Sequence, residues 1–253
     1  MDHTYFTQLI GSGAQADVYL YENKAIKVFK PDYGSNNVEF EAKILNRIYN
    51  TGLPVPKFYD VISIKDRTAI VMEYVNGETL GNLLLKDSVH GADYIEQSVL
   101  IQQRVHQIKN VEGIPLLKDK LQSKIKWTTL ISEELKQKCI EKLGHLNVDY
   151  TLCHGDFHVL NLIKTDSDIK IIDWVDASLG CAAADVCRTY LLYLLYKSEI
   201  ADLYLQCYCD KAKLTREEVL SWLPVLAAAR LVENNAPEDV EILLSIINRE
   251  FCE

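Results

Sequence analysis

The chain has 253 residues, enough for one or two domains. Hydrophobic residues make up 48% and charged residues 25%, the balance of an ordinary globular protein. The net charge of −9, from 36 acids against 27 bases, argues against non-specific nucleic-acid binding and is compatible with either a cationic substrate or simple solubility.

Seven cysteines, an odd number without CxxC spacing, read as reduced thiols of a cytoplasmic protein; Cys207 and Cys209 have no partners at zinc-like spacing. The first residues, MDHTYFTQLIGSG, lack a basic start and a long apolar core, so no signal peptide is expected. The apolar run Tyr190 to Tyr196 is far shorter than the ~20 residues of a membrane helix. No repeat or low-complexity tract is visible. The expectation is a cytoplasmic chain with no membrane, nucleic-acid or obligate protein partner.

Thr4 to Ile10 reads as a strand, followed by Gly11-Ser12-Gly13 and a second strand, Val18 to Tyr21. Glycines in such a turn let backbone amides approach an anion without a Cβ in the way. Glu22-Asn23 is a short turn and Lys24 to Phe29 a third strand, in which Lys27 points away from the face shared by Ile26 and Val28. Asn36 to Asn50 has helical periodicity. Val38, Ala42, Leu45, Ile48 and Tyr49 mark its apolar face, and Glu41 falls within that arc, whereas Glu39 lies with Lys43 and Asn46. A carboxylate on a buried face needs a cation, so Glu41 is expected to pair with Lys27. Lys57 to Ile64 and Thr68 to Tyr74 form a strand pair, and Gly77 is expected to end it and to act as a free link into the helical part of the chain.

Further on, Tyr94 to Ile108 is an amphipathic helix carrying His106, read as a packed core histidine. Leu116 to Ile125 and Glu133 to Leu146 look helical. Asp185 and Arg188 open a helix that is apolar almost all round through Tyr196, hence central. Asp185 near its start suits the positive end of the helix dipole. Leu203 to Asp210, Thr215 to Leu231 and Pro237 to Phe251 are also helical, with Thr215 as an N-cap and Pro224 as a break or kink.

Between these helices lies the most informative stretch, CHGDFHVLNLIKTDSDIKIIDWVDA, from Cys153 to Ala177. Asn161 follows Asp156 by five residues; a polar turn, Thr165 to Asp168, leads to the apolar run Ile169 to Ile172, ending in Asp173. Phosphoryl transfer needs a carboxylate to take the proton of an attacking hydroxyl and oxygen ligands that hold Mg²⁺ on nucleotide phosphates. Asp156 fits the first role; Asn161 and Asp173 fit the second.

HGDFHVLN followed by IIDW resembles the active site of the aminoglycoside phosphotransferase and choline kinase family, small-molecule kinases related in fold to protein kinases. Val159 stands where many relatives have proline. The resemblance implies an α+β, two-lobed protein-kinase-like fold: a five-stranded antiparallel sheet with one helix over residues 1–75, and a helical lobe over 76–253. It also implies that Gly11, Ser12 and Gly13 cradle phosphates, that Lys27, braced by Glu41, grips them, and, as the alternative to a dipole role, that Asp185 braces the catalytic loop. Met72 becomes the gatekeeper, and the carbonyl of Glu73 and the amide of Val75 pair with the base of ATP or GTP. The acceptor implied is a small-molecule hydroxyl. The short segment after Asp173, without Ala-Pro-Glu, disfavours a protein kinase. The competing reading is a nucleotide-binding, pseudokinase-like regulator without turnover, against which the full set of catalytic groups argues. Acids such as Asp176 could meet a cationic acceptor, but the reading preferred is a surface acid.

Overall fold

A computed structural model describes residues 8–233 and 235–252. Thr4 to Thr7 of the first expected strand lie outside the described residues. The chain forms two compact units. One runs up to Leu83 and takes in Leu160–Val175; the other comprises Leu84–Val159 and the chain from Asp176 onward.

The N-terminal elements are β1 (Gln8–Ser12), β2 (Ala16–Tyr21), β3 (Lys24–Phe29), α1 (Ser35–Tyr49), β4 (Phe58–Ile64) and β5 (Arg67–Glu73). Then come β6 (Glu78–Thr79), α2 (Leu80–Lys86), α3 (Gly91–His106), α4 (Leu117–Trp127) and α5 (Glu133–His145). Short strands β7 (Thr151–Cys153), β8 (Leu162–Lys164), β9 (Ile169–Ile171) and β10 (Ser178–Gly180) lead into α6 (Ala182–Tyr196) and α7 (Ser198–Ala212). The chain closes with α8 (Arg216–Leu220), α9 (Leu223–Arg230) and α10 (Pro237–Phe251).

In the first unit the five strands form an antiparallel sheet in the order β1-β2-β3-β5-β4. Glu22 and Asn23 both take positive φ, 44° and 62°, the two-residue turn whose twist suits a hairpin. The strand alternation sorts the side chains. Ile26, Val28, Ala69 and Val71 pack on one face. Phe29 and Ile70 pack on the other with Val38 and Ala42 of α1, and Met72 borders that cluster. Lys27 stands beside Phe29 on the face covered by α1, its Nζ 5.3 Å from the ring centre. The same unit holds a three-stranded sheet, β6-β8-β9. Its hairpin is closed by Thr165, whose amide donates to Asp168 O at 2.9 Å.

Gly77 has a different job from the flexible link expected of it. A Cβ there would sit 2.2 Å from the carbonyl oxygen of Lys164, so glycine is required for β8 to approach the chain entering β6.

In the second unit α6 packs on α7, α8 and α9, and α3 packs on α7. Most of α6 is buried, including its polar residues Asp185, Arg188 and Thr189, in keeping with a helix apolar almost all round. The expected helix from Thr215 to Leu231 divides into α8 and α9. Thr215 and Glu218 form a full capping box at the start of α8, and Pro224 sits in the first turn of α9, where its missing N–H is harmless. Among the described residues no helix is long and apolar enough to cross a membrane.

Candidate active site

The sheet unit assembles three of the expected residues from distant points of the chain. Lys27 Nζ lies 2.5 Å from Glu41 Oε1 and 3.1 Å from Asp173 Oδ1. Glu41 faces inward from α1 with its side chain 8% exposed, while Glu39 is exposed and lies 3.9 Å from Lys43. Burial pulls the Lys27 ammonium down, but the carboxylates of Asp173 and Glu41 overcome it and hold its pKa above the ordinary value. Burial likewise keeps the Glu41 carboxyl above its ordinary value, and Lys27 offsets only part of that.

Asn161 and Asp173 are neighbours because the β8–β9 hairpin makes them so. Leu162 pairs with Ile171, and the amide of Ile172 donates to Asn161 O at 3.0 Å. Asn161 is buried. Asp173 takes a positive φ of 63°, a conformation a short polar side chain tolerates, and its side chain is 41% exposed. Its Oδ1 meets Lys27; Oδ2 has no partner among the described residues. A carboxylate with an open oxygen and a carboxamide, carried by the two arms of one hairpin, are hard-oxygen donors that suit Mg²⁺, which takes one or two protein ligands and completes its shell with phosphate and water. Among the described residues no cluster of three His, Cys, Asp or Glu side chains forms a metal cage of its own.

The remaining residues of this half lie along the sheet. Gly11 and Ser12 end β1, and Gly13 closes the turn to β2 by donating to Ala16 O at 2.9 Å. Ser12 Oγ donates to Asp17 Oδ1 at 2.7 Å. Neither Gly11 nor Gly13 is forced by crowding, since an added Cβ would make only ordinary contacts. Because Ala16 pairs with Phe29, this loop lies off the Phe29 end of β3. Glu73, paired with Lys24, marks the other end, with Val75 just beyond the strand. The Glu73 carboxylate accepts from Lys57 N at 3.0 Å.

The helical unit supplies Asp156 and its supports. His158 Nε2 lies 3.4 Å from Asp156 Oδ2, and Asp156 N donates to His154 Nδ1 at 3.2 Å. Burial raises the Asp156 carboxyl, but the hydrogen bond and charge of His158, with His154 and Arg188, outweigh it and hold the group well below the carboxylate range. The loop itself is fastened to α6. Asp185 Oδ1 accepts from Gly155 N at 2.8 Å, Arg188 Nε donates to Gly155 O at 3.1 Å, and Tyr193 accepts from Val159 N at 3.1 Å. Gly155 has φ 82°, and a Cβ there would lie 2.5 Å from Asp176 O, so no other residue fits.

Behind Asp185 stands a buried network. Its Oδ2 accepts from Gln102 Nε2 at 3.0 Å and lies 2.9 Å from His106 Nε2; His106 Nδ1 is 2.5 Å from Tyr208 Oη. Asp185 lies in the first turn of α6, where the helix dipole favours an acid, and it makes the bracing contact as well. His106 is packed in the core, as read. Sequence reasoning passed over Gln102 and Arg188. The signal for Gln102 was there: a polar residue on the apolar side of α3 must find a buried partner. Asp176 is not a surface acid. It is half-buried with Lys120 Nζ at 3.3 Å and Lys124 Nζ at 3.8 Å. Burial raises its carboxyl, and those two cations with Arg188 bring it below its ordinary value.

Comparison with known proteins assigns the class. The model of the phosphotransferase enzyme family matches residues 7–223, and the chain belongs to that family. Its fold is the kinase-like one of several solved structures. The choline kinase of Streptococcus pneumoniae superposes with a TM-score of 0.68 at 18% identity, over 96% of this chain and 92% of that one. Amicoumacin kinase, solved with AMP-PNP and Ca²⁺, gives a TM-score of 0.64 at 15% identity over 98% and 88%. A thermostable aminoglycoside phosphotransferase with AMP-PNP and hygromycin B gives 0.69 at 12% identity over 97% and 94%. No curated protein sequence matches the chain.

Proposed function

We propose that the chain transfers the terminal phosphoryl group of ATP or GTP to a hydroxyl of a small molecule. The observation that carries this reading is Lys27 held between Glu41 and Asp173, three residues brought together across 146 positions of sequence. An ammonium clamped by two carboxylates is fixed in direction and stays charged, as a grip on phosphate oxygens requires. Gly11, Ser12 and Gly13 offer backbone amides to the phosphates; the Glu73 carbonyl and Val75 amide offer a donor–acceptor pair to the base. Asp173 and Asn161 would hold Mg²⁺, whose contribution when bound is to neutralise charge on the nucleotide.

Asp156 orients the acceptor hydroxyl and accepts its proton. Its depressed pKa keeps it ionised at neutral pH but makes it a weak base. That is sufficient where the transition state is loose and the proton leaves late, so that positioning outweighs basicity. The reduced thiols and the acidic balance fit a cytoplasmic enzyme.

The test is transfer of labelled γ-phosphate from ATP and GTP to a panel of hydroxylated metabolites and aminoglycosides, with and without Mg²⁺. Asp156→Asn and Asp173→Asn should each reduce turnover by at least a hundredfold. Variants that both match the parent would overturn the assignment, and nucleotide binding without any turnover would favour the regulatory reading.

A further inference from the structure

Inside the helical unit, beside Gly155 and Asp176, lies a small cavity of about 40 Å³. By the measure of roughly 10–15 Å³ per water, it has room for about three waters. That is the size of one oxygen-rich head group and not of a whole acceptor.

Four cations line it: Lys120 and Lys124 from α4, Arg188 from α6 and Arg230 from α9. Two carboxylates must serve them all. Glu233 takes Lys124 at 3.0 Å, Arg188 at 3.0 Å and Arg230 at 2.5 Å. Asp176 takes Lys120 at 3.3 Å and Lys124 at 3.8 Å, and its backbone carbonyl accepts from Lys120 Nζ at 2.7 Å. A third acid at the wall, Asp185, is already spent on Gly155 N, Gln102 and His106. The lining residues therefore carry four cations against three carboxylates. The Nε of Arg230 is buried and donates to nothing among the described residues. Burial and the nearby Arg188 pull the Arg230 guanidinium below its ordinary value, and burial with Lys124 does the same for Lys120 although Asp176 opposes it. A group crowded in this way gains most from an arriving negative charge.

We propose that this cavity is an oxyanion subsite of the acceptor pocket, so that the acceptor carries a carboxylate or phosphate as well as the hydroxyl that is phosphorylated. The inference rests on the phosphotransfer reading for the word acceptor, but the anion site stands on its own geometry. Gly155 lines the cavity and Asp156 is the next residue, so an acceptor anchored there by its anion presents its hydroxyl to Asp156. A cationic acceptor would instead meet four like charges.

Two measurements on the full chain separate the possibilities. Sodium sulfate is titrated calorimetrically into the parent, Lys124→Gln, Arg230→Gln and Lys27→Met. Affinity should fall at least tenfold in the first two variants and persist in Lys27→Met, which alters only the nucleotide half. Lys124 is partly exposed, so its variant keeps the fold. In the second measurement, transfer from ATP is compared between hydroxy acids and their neutral amides. The acids should have at least tenfold higher kcat/KM, and Lys124→Gln should erase that preference. Sulfate affinity equal in all four proteins, or amides and amino alcohols outperforming acids, would overturn the proposal. Variant-sensitive sulfate binding with no turnover of any acceptor would support the anion site and overturn the phosphotransfer reading instead.

Discussion

Lys27 and Glu41 illustrate what a single residue's environment decides. Glu41 lies inside the apolar arc of α1, and an acid there is stable only with a cation; Glu39, two positions earlier, has water. Glu41→Gln should leave Lys27 with Asp173 alone and lower kcat/KM at least tenfold, about 1.4 kcal/mol of transition-state stabilisation. Glu39→Gln should change it less than twofold. Steady-state kinetics on the two variants checks this, and equal small effects would remove Glu41 from the machinery. Asp185 makes the same argument at greater depth. Burial alone would raise its carboxyl, but His106, Gln102 and Gly155 N bring it down to about 2. A carboxylate whose pKa falls on folding stabilises the native state above its unfolded value near 3.9 and loses that contribution as pH drops toward its folded value. The shift corresponds to ~2–3 kcal/mol, lost between about pH 4 and pH 2. Asp185→Ala leaves three buried donors without their acceptor and should cost ~3 kcal/mol or more in urea unfolding at pH 7; Asp185→Asn, which keeps a carbonyl oxygen, should cost clearly less. Identical costs would mean the network does not hold the loop.

At the scale of elements, local chemistry is read well and close approaches are read poorly. The hairpin turn at Glu22-Asn23, the amphipathic arc of α1 and the cap at Thr215 all announce themselves within a few residues, and all three form. Thr215→Ala should therefore cost about 1 kcal/mol, the usual worth of an N-cap, measured by urea denaturation. Gly77 is the opposite case. Its neighbours in sequence suggest a flexible link, because the carbonyl that demands a glycine belongs to Lys164, 87 positions away. Gly77→Ala must push β8 away or bend the entry to β6, at a cost of about 1–3 kcal/mol. A variant as stable as the parent would show that Gly77 is needed only for freedom of the chain.

At the scale of the whole molecule, what the sequence conceals is which distant segments share a unit. The motif HGDFHVLN reads as one continuous loop, yet the chain from Leu160 to Val175 packs with the N-terminal sheet while Asp156 belongs to the helical unit. The order of the candidate site residues was legible because each lies in a short pattern. The cation cluster around Glu233 was not, because its members come from α4, α6, α9 and the loop after α9. The discontinuous sheet unit has a consequence for folding. Ile171 is fully buried in β9, pairs with Leu162, and donates its amide to Pro54 O at 2.8 Å, so it ties the late segment to the early one. Ile171→Ala removes a large buried side chain at that junction and should cost ~2–5 kcal/mol. The loss should also weaken nucleotide binding, because Asp173 lies two residues beyond and depends on β9 for its position. Titration of AMP-PNP monitored by thermal unfolding reads both effects together, since a ligand that binds only the native state raises the melting temperature by an amount that grows with the logarithm of its concentration over Kd. A variant that is destabilised yet gains as many degrees from the nucleotide as the parent would show that Asp173 is positioned independently of β9.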